Sequence, residues 1–145
     1  MLLIAFAVSN ICFAQDQLPI KEKNVPQYCI QNFKEKYPEA TAVQWLQGDP
    51  FFIDVTFVIG THHYNSTFAT SGGWVSTSEK YPVDSLPQQA HDFVEQKFPG
   101  AKYIFLYCTD TVSGLRWELT IRKKKLYEFV FDMSGFNLAY GKAGN

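Results

Sequence analysis

The chain has 145 residues, a length that fits one domain or two small half-domains. Hydrophobic residues make up 46% of the chain and charged residues 19%, so the chain can bury a core and is not of the disordered type. The net charge is −1, which argues against a nucleic-acid-binding protein because such proteins carry a strong basic footprint. We therefore expect a folded chain with no nucleic-acid partner.

The N-terminus resembles an export signal. Residues 1–14 form an uncharged, mostly apolar run that ends in a small residue, so we predict a signal peptide cleaved near Ala14. The run is too short to span the ~30 Å hydrocarbon core of a bilayer, and we expect no integral membrane segment in the mature chain. Its basic start is missing, which leaves the true start codon open. The expected location is periplasmic or secreted, and residues 15–23 are predicted to be a linker.

Two similar segments, VPQYCIQNFKEKYPEA and LPQQAHDFVEQKFPGA, predict two helices with one apolar stripe each. A capping residue precedes each segment, a proline opens it, and a second proline stops it. These matched positions are Asn24 and Ser85, Pro26 and Pro87, and Pro38 and Pro99. The spacing of the prolines indicates an internal repeat.

After each predicted helix the hydrophobic period changes to two, and glycine-rich turns separate the alternating runs. We therefore predict an α+β fold, a tandem repeat of one helix followed by a four-stranded antiparallel sheet. The first unit covers residues 24–80 and the second covers residues 84–141. The expected core includes Phe33, Trp45, Val94 and Trp117.

The helix motif carries a resemblance to a known family. Its pattern is Val-Pro…Phe-x3-Tyr-Pro-x-Ala-x2-Val-x-Trp from Val25 to Trp45, echoed from Leu86, with a Phe-Asp-x-Ser-Gly turn that begins at Phe131. Over residues 24–141 the chain resembles the PepSY-like family, small secreted bacterial proteins built like the β-lactamase-inhibitor protein. The resemblance implies a periplasmic, non-catalytic binding or inhibitor-like module. The first half departs from the pattern, because Ala69 stands where the second half has Asp132.

No constellation of catalytic or metal-binding residues is recognisable. The adjacent His62 and His63 are expected on opposite faces of a strand, and His91 lies on the second predicted helix, so we predict no metal site. No nucleophile elbow, phosphate loop or catalytic cysteine signature is present. We expect no cofactor and no enzymatic activity.

The two cysteines of the mature chain leave two alternatives open. Cys29 lies on the apolar stripe of the first helix, and Cys108 continues an inward-facing strand row. An exported protein allows a disulfide between them. The alternative is that both stay buried thiols that act as small hydrophobic residues.

Three polar segments each allow two interpretations. The run Arg122 to Lys125 is either a solvated hairpin tip or a contact for an anionic surface or an acidic partner. The tripeptides Asp84-Ser85-Leu86 and Asp110-Thr111-Val112 fit a short O-glycosylation sequon. Otherwise Ser85 caps the second helix and Thr111 belongs to a turn.

One strand carries a row of aromatic residues that predicts a binding face. If Ile104 and Leu106 face the core, Tyr103, Phe105 and Tyr107 must point to the other face of the sheet. The same face is expected to carry the remaining candidate residues Phe52, Arg116, Glu118 and Val130. This composition is typical of protein-binding hot spots, and the resemblance also implies that the sheet holds the target. The alternatives are that the two halves fold over this face or that it seals a homodimer.

Three function classes follow. The first is an exported, non-catalytic binding or inhibitor-like module that recognises a protein, a peptide or an envelope ligand through a sheet face. The second is a structural, self-associating envelope protein, and the third and weakest is a hydrolase. The ligand itself cannot be read from the sequence.

Overall fold

The computed structural model describes residues 17–144, so the predicted signal peptide lies outside the described residues. Within residues 17–144, nine strands and two α-helices follow one another. In order, the elements are β1 (Leu18–Ile20), α1 (Gln27–Lys36), β2 (Thr41–Gln47), β3 (Phe52–Ile59), β4 (His62–Ala69), β5 (Trp74–Tyr81), α2 (Gln88–Lys97), β6 (Lys102–Thr111), β7 (Gly114–Lys123), β8 (Lys125–Phe131) and β9 (Asn137–Lys142). Within the described residues, no helix is long and apolar enough to cross a membrane.

The two helices lie where the proline pattern predicts them, but they start later than expected. Asn24 and Ser85, which we expected as N-caps, instead end the 3-10 turns Glu22–Asn24 and Val83–Ser85. The N-cap positions belong to Pro26 and Pro87, which offer no side-chain oxygen to the helix. Asn24 and Ser85 lie two residues before these N-caps, and their backbone N–H groups close the 3-10 turns by donating to the carbonyls of Lys21 and Pro82.

All nine strands form one antiparallel sheet in chain order, from β1 at one edge to β9 at the other. Four strands follow each helix, as predicted, but they do not form two separate four-stranded sheets. β5 pairs with β6 over six residue pairs, from Ser76 with Thr111 to Tyr81 with Leu106. The segment that we predicted as a linker, residues 15–23, contains strand β1, which pairs with β2. The architecture is therefore α+β with a continuous nine-stranded sheet.

Both helices pack on the same face of this sheet and build two apolar clusters. In the first cluster α1 packs on β2, β3 and β4, and the Phe33 ring meets the rings of Trp45 and Phe57 edge-on at 5.3 and 5.1 Å. In the second cluster α2 packs on β6, β7 and β8, with Val94 fully buried. The four residues that we expected in the core are at most 7% exposed, which confirms their placement.

A buried polar strip on β5 lies between the two clusters. Thr77 accepts a hydrogen bond from the indole nitrogen of Trp74 at 2.9 Å and contacts the hydroxyl of Ser66 at 2.8 Å. The hydroxyl of Tyr37, at the end of α1, also reaches Thr77. These hydroxyl hydrogen bonds close the first half on the helix side, at the strand that borders the second half.

The two hairpins beneath the helix N-termini require glycine. Gly72 and Gly135 both have a positive φ, and a Cβ at either position would overlap a helix residue, Tyr28 or Pro87, at 2.7 or 2.9 Å. Each hairpin therefore packs directly against the start of a helix, which holds the helix over the sheet.

Cys29 and Cys108 are free thiols that belong to different clusters. Cys29 is fully buried, and its Sγ donates to the carbonyl of Ala69 at 3.2 Å. Cys108 is half-buried beside the second cluster. The structure has no disulfide between them, because the two cysteines belong to different clusters.

Replacing Trp117 with alanine should lower the free energy of unfolding by about 3–5 kcal/mol, because deleting a large buried side chain leaves a cavity. Chemical denaturation measures the change. Leu115→Ala is the matched control on the same strand, since Leu115 is exposed; we expect a change of less than about 0.5 kcal/mol there. Equal, small losses in both variants would contradict the core position of Trp117.

Burial raises the pKa of both the Cys29 and the Cys108 thiol, so both should react slowly with an alkylating reagent while the protein is folded. Mass spectrometry after alkylation, with and without denaturant and without reductant, counts the protected thiols. We expect two thiols to become reactive only on unfolding. A denatured sample in which neither thiol reacts would mean that they are bridged.

Candidate functional site

The face of the sheet opposite the helices carries no described element on top of it. Strand side chains alternate between the two faces, so the residues between the core positions define this second face. We call it the open face. Its residues on β3 to β8 include Phe52, Asp54, Thr56, Asn65, Thr67, Ser76, Ser78, Lys80, Phe105, Tyr107, Thr109, Arg116, Glu118, Thr120, Glu128 and Val130.

Five of the seven candidate residues lie together on the open face. Tyr107 is directly opposite Glu118, and Glu118 is directly opposite Val130 on the next strand. Phe105 neighbours Tyr107, with ring centroids 6.3 Å apart, and the Lys80 ammonium lies 5.1 Å from the Phe105 ring. Phe52 shares the face but is on β3, three strands away from β6, so it does not join this group.

The expected orientation of Tyr103 is wrong. The pairing of β6 with β7 shifts between Tyr103 and Phe105, so strict alternation fails at Ile104. Tyr103 consequently faces the helices, where its ring stacks on His91 with centroids 5.2 Å apart. Ile104, expected in the core, belongs to neither apolar cluster. The aromatic row on the open face therefore has two members on β6, Phe105 and Tyr107.

An ion pair lies at the centre of this group. The Arg116 Nε and one of its terminal nitrogens donate to the same Glu118 oxygen at 2.6 and 2.5 Å. Both side chains are mostly withdrawn from solvent, at 19% and 10% exposure. Burial raises the pKa of Glu118 above its usual value, while Arg116 and the hydroxyl of Thr109 oppose that rise. Burial also raises the pKa of Glu128 on the neighbouring strand.

A ladder of small polar residues continues the face toward the first half. The hydroxyls of Ser78 and Thr109 are 2.9 Å apart, and both residues are buried although no helix covers them. Within residues 17–144, the side-chain oxygen of Asn65, which is paired with Ser78, is buried and accepts no hydrogen bond. Sequence reasoning missed these residues, since serine and threonine on a polar strand face are expected to be solvated.

A second polar group lies at the other end of the open face, around Asp54 on β3. The Asp54 carboxylate accepts hydrogen bonds from Thr67 and from Gln17, which lies just before β1. Burial raises the pKa of Asp54, against the effect of these two donors. The N-terminal segment is thus tied to the open face, which is a contact that the sequence did not indicate.

The histidines are dispersed. His62 contacts the Glu79 carboxylate on the helix side, His63 is on the opposite side of the same strand, and His91 stacks on Tyr103. In the part of the chain that the structure describes, no group of three or more His, Cys, Asp or Glu residues could hold a metal ion.

The two sequons are on exposed or partly exposed backbone. Ser85 lies in the 3-10 turn before α2, and Thr111 ends β6, where its hydroxyl donates to the carbonyl of Gly114 at 3.0 Å. Glycosylation of either residue stays a prediction.

No family model matches this chain, and no curated protein matches it. Solved structures do resemble it. A DUF2874-family protein from Bacteroides ovatus shares 20% identity with a TM-score of 0.70, over 81% of this chain and 86% of that chain. A BLIP-like protein from Bacteroides fragilis shares 17% identity with a TM-score of 0.69, over 82% and 86%. The fold is BLIP-like.

A third similar structure, a candidate periplasmic protein from Bacteroides eggerthii, shares 17% identity with a TM-score of 0.69, over 81% of this chain and 88% of that chain. These likenesses concern the BLIP-like fold. The relation to the PepSY-like family stays a prediction.

The raised pKa of Glu118 predicts how stability depends on pH. The unfolded chain releases this proton near the ordinary glutamate pKa of about 4.3, before the folded protein does. The folded protein therefore binds more protons between the two pKa values, and its free energy of unfolding falls as pH rises through that window. Urea denaturation of the parent and of Glu118→Gln should show the parent losing stability relative to the variant. A relative gain with rising pH would mean that Arg116 outweighs burial.

Proposed function

We propose that this protein is an exported, non-catalytic binding or inhibitor-like module that recognises a protein, a peptide or an envelope ligand through the open face. The observation that carries the proposal is the group on β6 to β8, in which Phe105 and Tyr107 adjoin the Arg116–Glu118 ion pair with no described element above them. Tyrosine and arginine next to apolar residues are the commonest composition of binding hot spots.

The ion pair supports binding because it lowers the cost of association. It holds the Arg116 and Glu118 side chains in place, so fewer rotamers are lost when a partner arrives. Phe105 is more exposed than Tyr107 and Glu118, which are each 8% exposed, so direct contact with a partner falls mainly to Phe105.

Export is supported by residues 1–14, whose pattern is typical of a signal peptide, and by the candidate periplasmic protein that shares the fold. We further propose that the two halves are a tandem repeat related to the PepSY-like family. The doubled helix motif and the two Ser-Gly hairpins, at Gly72 and Gly135, support this relation.

A non-catalytic role is supported by the surroundings of the carboxyl groups. The Glu118 carboxylate on the open face is held by Arg116 and Thr109, so it is not free to exchange a proton with a substrate. The histidines lie apart from this group, and Glu128 on the neighbouring strand is half-buried, which disfavours the hydrolase alternative.

The second candidate is a structural, self-associating protein. Its support is the same pair of aromatic residues, Phe105 and Tyr107, which a second copy of the chain could cover in a homodimer. Light scattering over a wide range of protein concentration distinguishes the two: a binding module stays monomeric, and a self-associating protein forms a concentration-dependent dimer.

The test is Phe105→Ala, with Phe51→Ala as the matched control. Phe51 is exposed in the turn between β2 and β3, away from the open face, so both variants lose a phenyl ring that lies outside the two apolar clusters. Both should melt close to the parent. A partner retained from an envelope extract by the parent and by Phe51→Ala should be lost with Phe105→Ala, and purified partner should bind about tenfold or more weakly. Equal retention by all three proteins would contradict binding through the open face.

A further inference from the structure

Six of the thirteen basic residues of the chain lie at one end of four neighbouring strands. The strand pairing brings together the start of β6, the hairpin between β7 and β8, and the end of β9. We call this group the basic end; its residues are Lys102, Arg122, Lys123, Lys124, Lys125 and Lys142. Four of them are adjacent in sequence, but Lys102 and Lys142 join them only through the sheet.

Few acidic groups oppose this charge. None of the ion pairs within residues 17–144 involves the six residues, and all six are exposed. Lys123 donates to the backbone carbonyl of Pro99, which leaves its charge uncompensated. Of the nearest carboxylates, Glu95 accepts the backbone N–H of Gly100, and Glu128 is half-buried with its pKa raised by burial.

The opposite end of the sheet carries acidic and apolar residues instead of basic ones. Its hairpins carry the acidic residues Asp49, Asp110 and Asp132 and the exposed apolar residues Phe51, Val112 and Phe136. A net charge of −1 for the whole chain therefore hides a strong separation of charge along the strands. Such a separation orients a protein in an electric field.

We propose that the basic end docks the protein onto a membrane surface rich in anionic phospholipid headgroups. The six charges are at protruding strand ends and a hairpin tip, so they can approach a flat surface together. Five of the six are lysines, whose long side chains and compact charges adapt to mobile phosphates. Clustered basic residues of this number are attracted to anionic lipid over about one Debye length.

This docking would set the orientation of the protein. The strands would stand upright on the membrane, because the basic end terminates β6 to β9. The open face would then point sideways, accessible to a partner, and the apolar hairpins would point away from the lipid. The inference concerns a different surface from the proposed partner site, and its test does not depend on any partner.

The test is sedimentation with vesicles made of equal parts phosphatidylglycerol and phosphatidylcholine, with pure phosphatidylcholine vesicles as the neutral probe. We expect binding to the anionic vesicles at about 0.1 M salt and its loss near 1 M, where the screening length falls to about 3 Å. Binding to the neutral vesicles alone, or binding that high salt leaves unchanged, would overturn the proposal.

The decisive variant is Lys124→Asn with Lys125→Gln, because asparagine tolerates the positive φ of 62° at position 124. Lys21→Gln with Lys23→Gln removes the same charge from exposed positions before α1 and is the matched control. The first variant should bind anionic vesicles at least about tenfold more weakly, since each lysine adds substantially to the attraction, and the control should bind like the parent. Equal weakening in both variants would mean that net charge alone acts.

Two further measurements distinguish a lipid ligand from other anionic ligands. Inorganic phosphate at millimolar concentration should not displace the protein from the vesicles, because one ion cannot replace a surface that engages six charges. Displacement by phosphate would overturn the membrane proposal in favour of a single-phosphate site. Equally tight binding of soluble polyglutamate at the same salt concentration would also overturn it, in favour of an acidic protein partner. Thermal melting of all variants checks that they are folded.

Discussion

The structure depends on one constraint: two short helices cover one face of a nine-stranded sheet, and no helix within residues 17–144 covers the other. Each helix has ten residues, which is about 15 Å of length, so neither can cover more than part of the sheet. Whether a side chain enters the core or the open face is therefore decided by which side of its strand it occupies. The apolar clusters, the buried ion pair and the candidate binding group all follow from that division.

The centre of the sheet joins two apolar halves with polar contacts. On β5, Thr77 bonds toward the helix side while Ser78 bonds to Thr109 on the open side. The backbone ladder between β5 and β6 crosses the same region without interruption. Hydrogen bonds are directional, whereas apolar contacts tolerate sliding, so the Ser78–Thr109 bond and the β5–β6 ladder define the register in which the halves meet. On the open face, the hydrogen-bonded pair Ser78 and Thr109 lies beside the aromatic residues of β6.

The surface has three regions with different chemistry. The open face combines two aromatic rings with a withdrawn ion pair, the basic end gathers six positive charges, and the opposite hairpins expose apolar and acidic residues. A meander of antiparallel strands produces this separation, because successive hairpins alternate between the two ends of the sheet. Residues far apart in the chain, such as Lys102 and Lys142, thus contribute to one surface.

The sequence by itself determined the two helices, which prolines bound, and the core residues that follow the local hydrophobic period. These features depend on neighbours within a few residues. Only the tertiary structure decided three other points. The shift at Ile104 moved Tyr103 to the helix side, since a bulge depends on cross-strand pairing that alternation cannot express. The two halves share one continuous sheet instead of forming two separate four-stranded sheets, because β5 pairs with β6. The burial of Ser78 and Glu118 arose from crowding among side chains of different strands, which no single segment of sequence contains.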